Sequence, residues 1–143
     1  MLKELFYLCR LLFSRIPDEL EFVELKHFPF EGYGAMMWCG KLVSRPGNFI
    51  DQYTWNHEGI HLLQAKKVGS WIIYYLLYFW YWIIGLGLKD NGSYFTIPFE
   101  IEAYANQYDL DYNTTDWKRY RLKRRRKAWR EHKSAWWEWI RTI

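Results

Sequence analysis

The residues best suited to chemistry lie between positions 56 and 61, where the chain reads NHEGIH. Residues four apart in an α-helix share one face and lie about 5 to 6 Å apart, so His57 and His61 can direct two imidazoles at one metal ion. Glu58 is one position further round the helix, where its carboxylate can reach a metal-bound water and accept its proton. The pattern predicts a Zn²⁺ site with Glu58 as the catalytic base, because zinc accepts two imidazoles, one carboxylate and an exchangeable water.

The third ligand must come from elsewhere, and the segment EIEAYAN at positions 100 to 106 offers two carboxylates. Glu102 is the preferred candidate, since it begins an E-x-x-A-N string whose small alanine lets a second helix approach closely. Glu100 is the alternative ligand, and because residues two apart in a helix lie on nearly opposite faces, only one of the two can face the ion. Glu100 also has an explanation without a metal, as a first-turn carboxylate that follows Pro98 and is favoured by the helix dipole.

The H-E-x-x-H motif followed by a helical E-x-x-A-N string resembles the gluzincin metallopeptidases, particularly the minigluzincin branch that includes small repressor-cleaving peptidases. The resemblance covers roughly residues 33 to 110, and the longer pattern is also similar to a group of small bacterial proteins. It implies a minimal zincin-like core and, for Glu102, the role of zinc ligand. It also implies that the strand-like segment 33 to 43 lies beside the cleft and pairs with an extended substrate, although ordinary strand packing explains that segment equally well.

Two polar side chains are candidates for stabilising an oxyanion. They are Tyr104, two residues from Glu102, and His27. Either side chain can instead have a structural role.

The composition indicates one domain of 143 residues with an unusual aromatic content of ten Trp, twelve Tyr and nine Phe. Such rings are typical of a lipid–water boundary, and a soluble aromatic core is the alternative. Cys9 and Cys39 have apolar neighbours and no C-x-x-C spacing, which predicts two buried thiols in a reducing compartment, with a single disulfide left open. The N-terminal residues lack the features of a secretory signal peptide.

The expected fold is α+β. Residues 1–16 are predicted to contain an amphipathic helix, and the segments 20–28 and 33–43 are predicted to form a β-hairpin or small sheet. A helix carrying H-E-x-x-H then begins at an N-cap supplied by Asp51 or Thr54.

Residues 68 to 88 carry no charge and are nominally long enough to cross a bilayer as a helix. A straight helix from Thr54 to Leu88 would end some 40 Å from His61, which would leave a taut return to Glu102. We therefore expect a bend at Gly69-Ser70 and a helical hairpin. Monotopic attachment is favoured, a soluble packed helix ranks second and a membrane span third. The attached form would expose the aromatic residues Trp71, Tyr74, Tyr75, Tyr78, Trp80 and Trp82 to lipid headgroups.

The segment 117–143 is predicted to be a basic, Trp-rich helix. Residues 117 to 133 hold ten Lys or Arg against one Glu, whereas the whole chain has a net charge of +4. The candidate contacts to an anionic membrane are Arg121, Arg124, Arg125, Arg126 and Trp129. A solvated tail docked on the core ranks second, and a nucleic-acid partner ranks third.

Together these features predict a small zinc metallopeptidase that cleaves peptides or proteins on the cytoplasmic side of a membrane, as a peripheral or monotopic protein. A soluble cytoplasmic form is the alternative location. The alternative function is a membrane-surface binding or scaffold protein with a structural metal or none, and hydrolysis of a non-peptide amide is a third interpretation.

Overall fold

A computed structural model describes residues 1–86, Tyr94 and residues 97–120. These residues form the α+β fold that the sequence predicted. In chain order the elements are α1 (Leu2–Leu11), β1 (Glu21–Glu24), β2 (Ala35–Trp38), β3 (Lys41–Ser44), α2 (Gln52–Val68), α3 (Trp71–Gly85), α4 (Pro98–Asn106) and a 3-10 helix (Trp117–Tyr120).

The three strands form one sheet with the order β1-β3-β2. β2 and β3 are antiparallel, whereas β1 lies parallel to β3. The predicted hairpin between segments 20–28 and 33–43 is therefore wrong, because the hairpin forms inside the second segment. Its two-residue turn is Cys39-Gly40, with φ of 49° and 80°. Positive φ at both central residues gives the turn that matches the twist of the two strands.

α2 begins at the cap that the sequence predicted, since the Asp51 carboxylate accepts a hydrogen bond from the Thr54 amide at 2.7 Å. The helix ends at Gly69, whose φ of 86° is readily adopted by glycine, and the Ser70 side chain caps α3. The axes of α2 and α3 turn by 111° at this junction. The predicted bend is confirmed, and it leaves α2 free to present its histidines to α4.

α3 has two apolar sides with different surroundings. Trp71 and Tyr74 are buried, and Tyr74 packs against Phe99 of α4 with ring centroids 4.7 Å apart. Burial of Phe99 alone is worth about 2 to 3 kcal/mol. The expectation that Trp71 and Tyr74 face lipid is therefore wrong, because their rings form part of the core. The opposite side of α3 is solvent-exposed, with Leu76, Phe79 and Trp80 each more than half exposed.

None of the helices in the described ranges is by itself long and apolar enough to cross a membrane. The bent pair α2 and α3 meets that requirement by length and composition only.

The amphipathic N-terminal helix is confirmed as α1, with Leu8 buried and Leu2, Leu5 and Phe6 exposed. Cys39 is buried, but Cys9 is exposed, so the prediction of two buried thiols is wrong for Cys9. Both cysteines are free thiols.

Where the basic segment begins, the 3-10 helix places Trp117 against Phe99, with ring centroids 4.8 Å apart. Arg121, Arg124, Arg125, Arg126 and Trp129 lie outside the described residues, as does the rest of the predicted helix.

Candidate metal centre

Two histidines of α2 and one carboxylate of α4 converge in the interior. The Nε2 atoms of His57 and His61 each lie 3.4 Å from an oxygen of Glu100. One ligand atom from each of the three side chains can be chosen so that all lie within 4.8 Å of one another. The helical spacing thus brings the two imidazoles to one point, as the sequence predicted.

The carboxylate at this point is Glu100, and the assignment of Glu102 as third ligand is not what the geometry shows. α4 begins at Pro98 and runs with Glu100 facing the histidines. Glu102, two residues on, is turned to the other side of the helix. The sequence held a signal for this choice, because Glu100 and Ala103 have the same E-x-x-A spacing as Glu102 and Ala105.

Glu102 has a full set of other partners in the core. Its carboxylate accepts hydrogen bonds from the Tyr112 hydroxyl at 2.9 Å, the Thr115 hydroxyl at 2.7 Å and the Asp116 amide at 2.6 Å. A fourth bond comes from the Gln64 amide at 2.8 Å. Four donors compensate the cost of burying this charge. Glu102 therefore links residues 112–116, which follow α4, to Gln64 of α2 through hydrogen bonds.

Gln64 connects Glu102 to the metal centre, and sequence reasoning missed it. Its amide nitrogen donates to Glu102 and to the backbone carbonyl of Phe99, so its oxygen must face His61 Nδ1, 2.9 Å away. In its neutral form His61 then carries its proton on Nδ1, which leaves the Nε2 lone pair for a metal ion. Gln64 thus sets both the ring orientation and the tautomer.

His57 has a similar partner in Gln107, whose side-chain oxygen lies 3.2 Å from His57 Nδ1. Gln107 is held in turn by Asn56, which donates to the Gln107 carbonyl at 2.8 Å and to the Asp109 carbonyl at 2.9 Å. The asparagine that precedes the first histidine therefore joins α2 to the end of α4. The Nδ1 atom of each histidine thus lies within hydrogen-bonding distance of a glutamine side-chain amide.

Glu58 lies beside the cluster with the properties of a base. One carboxylate oxygen, Oε2, accepts the backbone amide of Met37 in β2 at 2.7 Å. Burial raises the pKa of Glu58, an effect that the neighbouring histidines oppose and the charge of Glu100 reinforces. A carboxylate with a raised pKa is a stronger base than an ordinary glutamate.

The electrostatics of the cluster fit a cation. Burial opposes ionisation, yet the histidines hold the pKa of Glu100 well below its usual range. Burial would lower the pKa of His61, but the Glu100 carboxylate raises it to about 9. Glu100 Oε2 is buried without a hydrogen-bond partner, although two buried imidazoles face this carboxylate. Two imidazole nitrogens and one carboxylate are one of the donor sets found in catalytic zinc sites.

Tyrosine hydroxyls surround the third ligand. Tyr78 donates to Glu100 Oε1 at 2.6 Å, and Tyr94 also hydrogen-bonds to Glu100. Tyr104 lies beside the site, with its ring centroid 4.5 Å from that of His57, and remains a candidate for oxyanion contact. His27 does not lie there, because it pairs with Glu4 of α1 at 2.7 Å and is exposed.

A cleft of about 470 Å³ opens beside the cluster, lined by His57, Glu58, Tyr104 and the segment from Gly32 to Ala35. β2 is an edge strand, and its Met37 amide points away from β3 toward Glu58. Since alternate residues of a strand point their backbone groups in the same direction, the backbone of Ala35 faces the cleft. The segment that the resemblance placed beside the cleft does line it, and its pairing with substrate stays a prediction.

No family model matches the chain, and comparison with the curated proteins and with the solved structures gave no match. The resemblance to gluzincins therefore stays a prediction carried by the motif residues.

Proposed function

We propose that this chain is a zinc-dependent metallopeptidase that works at a membrane surface. The observation that supports it best is the meeting of His57, His61 and Glu100 beside the buried carboxylate of Glu58. These are the residue types that hydrolytic zinc sites use as three ligands and a base. When bound, zinc would lower the pKa of a water molecule and polarise the scissile carbonyl.

The remaining chemistry falls to the side chains around the cluster. Glu58 Oε2 is held by the Met37 amide, so Oε1 is the oxygen that accepts the proton of the attacking water. The raised pKa of Glu58 lets it keep that proton and deliver it to the leaving amine. The edge of β2 at Ala35 pairs with the backbone of an extended peptide. Tyr104 stays protonated, because burial raises its pKa, and donates to the developing oxyanion.

An open site favours catalysis over a structural metal. Structural zinc sites are usually closed by four protein ligands, whereas catalytic sites keep a position for water. Among the described residues the cluster has three ligands and borders a cleft.

The membrane part of the proposal is supported by exposed apolar side chains on two helices. On α3 these include Leu76, Phe79 and Trp80, and on α1 they include Leu2 and Phe6. Soluble monomers seldom expose large contiguous apolar patches. An anionic lipid surface on the cytoplasmic side of the membrane is the proposed partner of α1, α3 and the basic segment 117–143.

The test separates binding of metal from turnover. Zinc content is measured by mass spectrometry after purification without a metal-affinity tag, and cleavage is measured on a proteome-derived peptide library. We expect Glu58→Gln to keep zinc and to lose about 10²- to 10⁴-fold in cleavage rate. We expect Glu100→Ala to lose zinc, while His27→Ala, remote from the cluster, retains both. Wild-type protein that binds no zinc, or zinc-loaded protein in which Glu58→Gln has no effect, would overturn the proposal.

A further inference from the structure

A second cavity borders the metal centre at His61 and Glu100, whereas the first cleft borders it at His57 and Gln107. It has a volume of about 360 Å³ and lies between β2 and α3, and we call it the apolar groove. Its inner end is formed by Glu58, His61 and Glu100. Its walls include Met36, Trp38, Tyr75, Tyr78 and Trp82, with Pro29 and Phe30 also lining it.

The groove follows one face of α3. Tyr74, Tyr78 and Trp82 line it and are spaced four residues apart, so they lie along a single stripe. Eight residues of helix advance about 12 Å, which sets the approximate length of the groove. Tyr74 touches the metal centre, since its hydroxyl lies 3.3 Å from His61 Nδ1. Trp82 therefore marks the far end.

That far end opens onto the exposed side of α3. Trp82 stacks on Phe79 with ring centroids 5.9 Å apart, and Phe79 is more than half exposed. Phe30, which also lines the groove, is 67% exposed. The groove is thus continuous from the reacting centre to the apolar surface that we assign to the membrane.

Three polar atoms along the walls already have partners. The Tyr75 hydroxyl accepts the Cys39 amide at 2.9 Å, and the Tyr78 hydroxyl donates to Glu100. The Trp38 indole N–H donates to the carbonyl of Leu8 at 2.8 Å. The rings and the Met36 side chain remain to contact an occupant, so the walls suit hydrocarbon and would leave a charged group without a partner.

We infer that the apolar groove binds a linear aliphatic chain carried by the substrate next to its scissile amide. This inference deepens the proposed function and rests on it. An extended chain advances roughly 1.3 Å per carbon, given C–C bonds of about 1.52 Å, so about 12 Å accommodates roughly eight to ten carbons. The substrate class is an amide or peptide with a long alkyl or acyl chain, drawn from the bilayer through the open end.

The first experiment uses zinc-loaded full-length protein and peptide amides that differ in one residue. That residue carries a linear alkyl side chain of two to twelve carbons, placed in separate series on either side of the scissile bond. We expect kcat/KM to rise by up to about fourfold per methylene, as for full burial, and to level off at roughly eight to ten carbons. Rates that do not depend on chain length, or that favour a compact phenylalanine over the long chains, overturn the inference.

A pair of aromatic variants locates the effect. Trp82→Ala should raise KM for the long-chain substrates and leave the two-carbon substrate unchanged. Phe49→Ala changes an exposed aromatic residue of the loop before α2 that does not line the groove, and it should behave as wild type. Equal effects of the two variants on the long-chain substrates contradict the assignment.

A readout independent of activity distinguishes failure of the groove from failure of the proposed function. A decanamide with a photoreactive diazirine at its terminal carbon is irradiated with the protein, and labelled residues are mapped by mass spectrometry. Labelling at Phe30, Met36 or Trp82 supports the groove even if no peptide is cleaved, in which case the peptidase proposal alone fails. Labelling confined to α1 or to the exposed side of α3 overturns the groove.

Discussion

Replacing Gln64 with leucine removes the side chain that orients His61 while nearly keeping its volume. The substitution leaves the Nδ1–H of His61 without its main acceptor and deprives Glu102 of one of its four donors. Loss of such a partner behind a metal-bound histidine typically costs about 10- to 100-fold in metal affinity. We therefore expect Gln64→Leu to weaken zinc binding by about that factor, measured by competition with a chromophoric chelator.

The same substitution destabilises the metal-free fold, because the Phe99 carbonyl and the Glu102 carboxylate each lose a hydrogen bond in the core. A hydrogen bond typically contributes about 0.5 to 1.5 kcal/mol, and one to a charged group about 1.5 to 3 kcal/mol. A control is needed that lowers stability without touching His61. Thr115→Val serves, since it removes a 2.7 Å hydrogen bond to the same carboxylate and leaves Gln64 in place.

The pair of variants separates orientation from stability. Both should lower the melting temperature of the metal-free protein, but Thr115→Val should bind zinc with nearly the wild-type dissociation constant. If folded Gln64→Leu binds zinc as tightly as wild type, packing alone orients His61 and the role given to Gln64 is refuted. If Thr115→Val weakens zinc binding as much as Gln64→Leu does, the effect comes from general loosening of the core.

Three other predictions concern pH, packing and the membrane. In the metal-free protein the His61 pKa is raised to about 9, so the stabilising His61–Glu100 ion pair is fully present below about pH 6.5 and is lost as pH rises through 9. Zinc must displace that proton, so the affinity for zinc should rise by up to about tenfold per pH unit from 6.5 to 9. Calorimetry in buffers of different ionisation enthalpy should detect about one proton released on zinc binding. A zinc affinity that does not depend on pH contradicts the assignment. Gly59→Ala should raise the free energy of unfolding by up to about 1 kcal/mol, and with it the melting temperature, because a Cβ there meets only Leu20 at 4.0 Å. Gly40→Ala should lower the melting temperature, because its Cβ would overlap the Pro17 ring at positive φ. The double variant Leu76→Ser, Phe79→Ser should reduce sedimentation with anionic vesicles at least about tenfold. The control Phe49→Ser changes an exposed apolar residue in the loop before α2 and should sediment as wild type does. Equal losses in both would show that vesicle binding does not depend on α3.

The part of the site that could be predicted from sequence is the part set by one helix. His57, Glu58 and His61 belong to α2, so the helical repeat alone places them on the site. The sequence favoured Glu102 over Glu100, and this order could not be decided reliably, because the rotation of α4 relative to α2 depends on which side chains pack between them. Phe99, Ile101 and Ala103 are all fully buried, so α4 has core contacts on several sides and its sequence carries no single polar face.

The polar partners were harder still to predict. A glutamine three residues after His61 resembles any polar position on a helix surface, and only its burial against Phe99 and Glu102 shows its function. The turn in the sheet was missed for a related reason. Two-residue hairpins usually carry Asn-Gly or Asp-Gly, whereas here Cys39 takes a positive φ. The Tyr75 hydroxyl holds the Cys39 amide, so a tertiary contact supports a turn that local preferences do not indicate.

The exposed apolar side chains of α3 are better explained by their connection to the candidate metal centre than by the apolar composition of the helix alone. A helix that is apolar all round is normally buried all round, in a core or in a membrane. α3 buries Trp71 in the core and Tyr74 against α4, but leaves Phe79 and Leu76 exposed. If exposure were only a consequence of small size, the exposed rings would have no relation to the reacting centre. Instead Trp82 joins them to a groove that ends at Glu58 and His61. A single helix thus supplies a core wall, a groove wall and an apolar surface. This arrangement would suit the proposed hydrolase, because an apolar chain could then pass from a bilayer to Glu58 and His61 without crossing water.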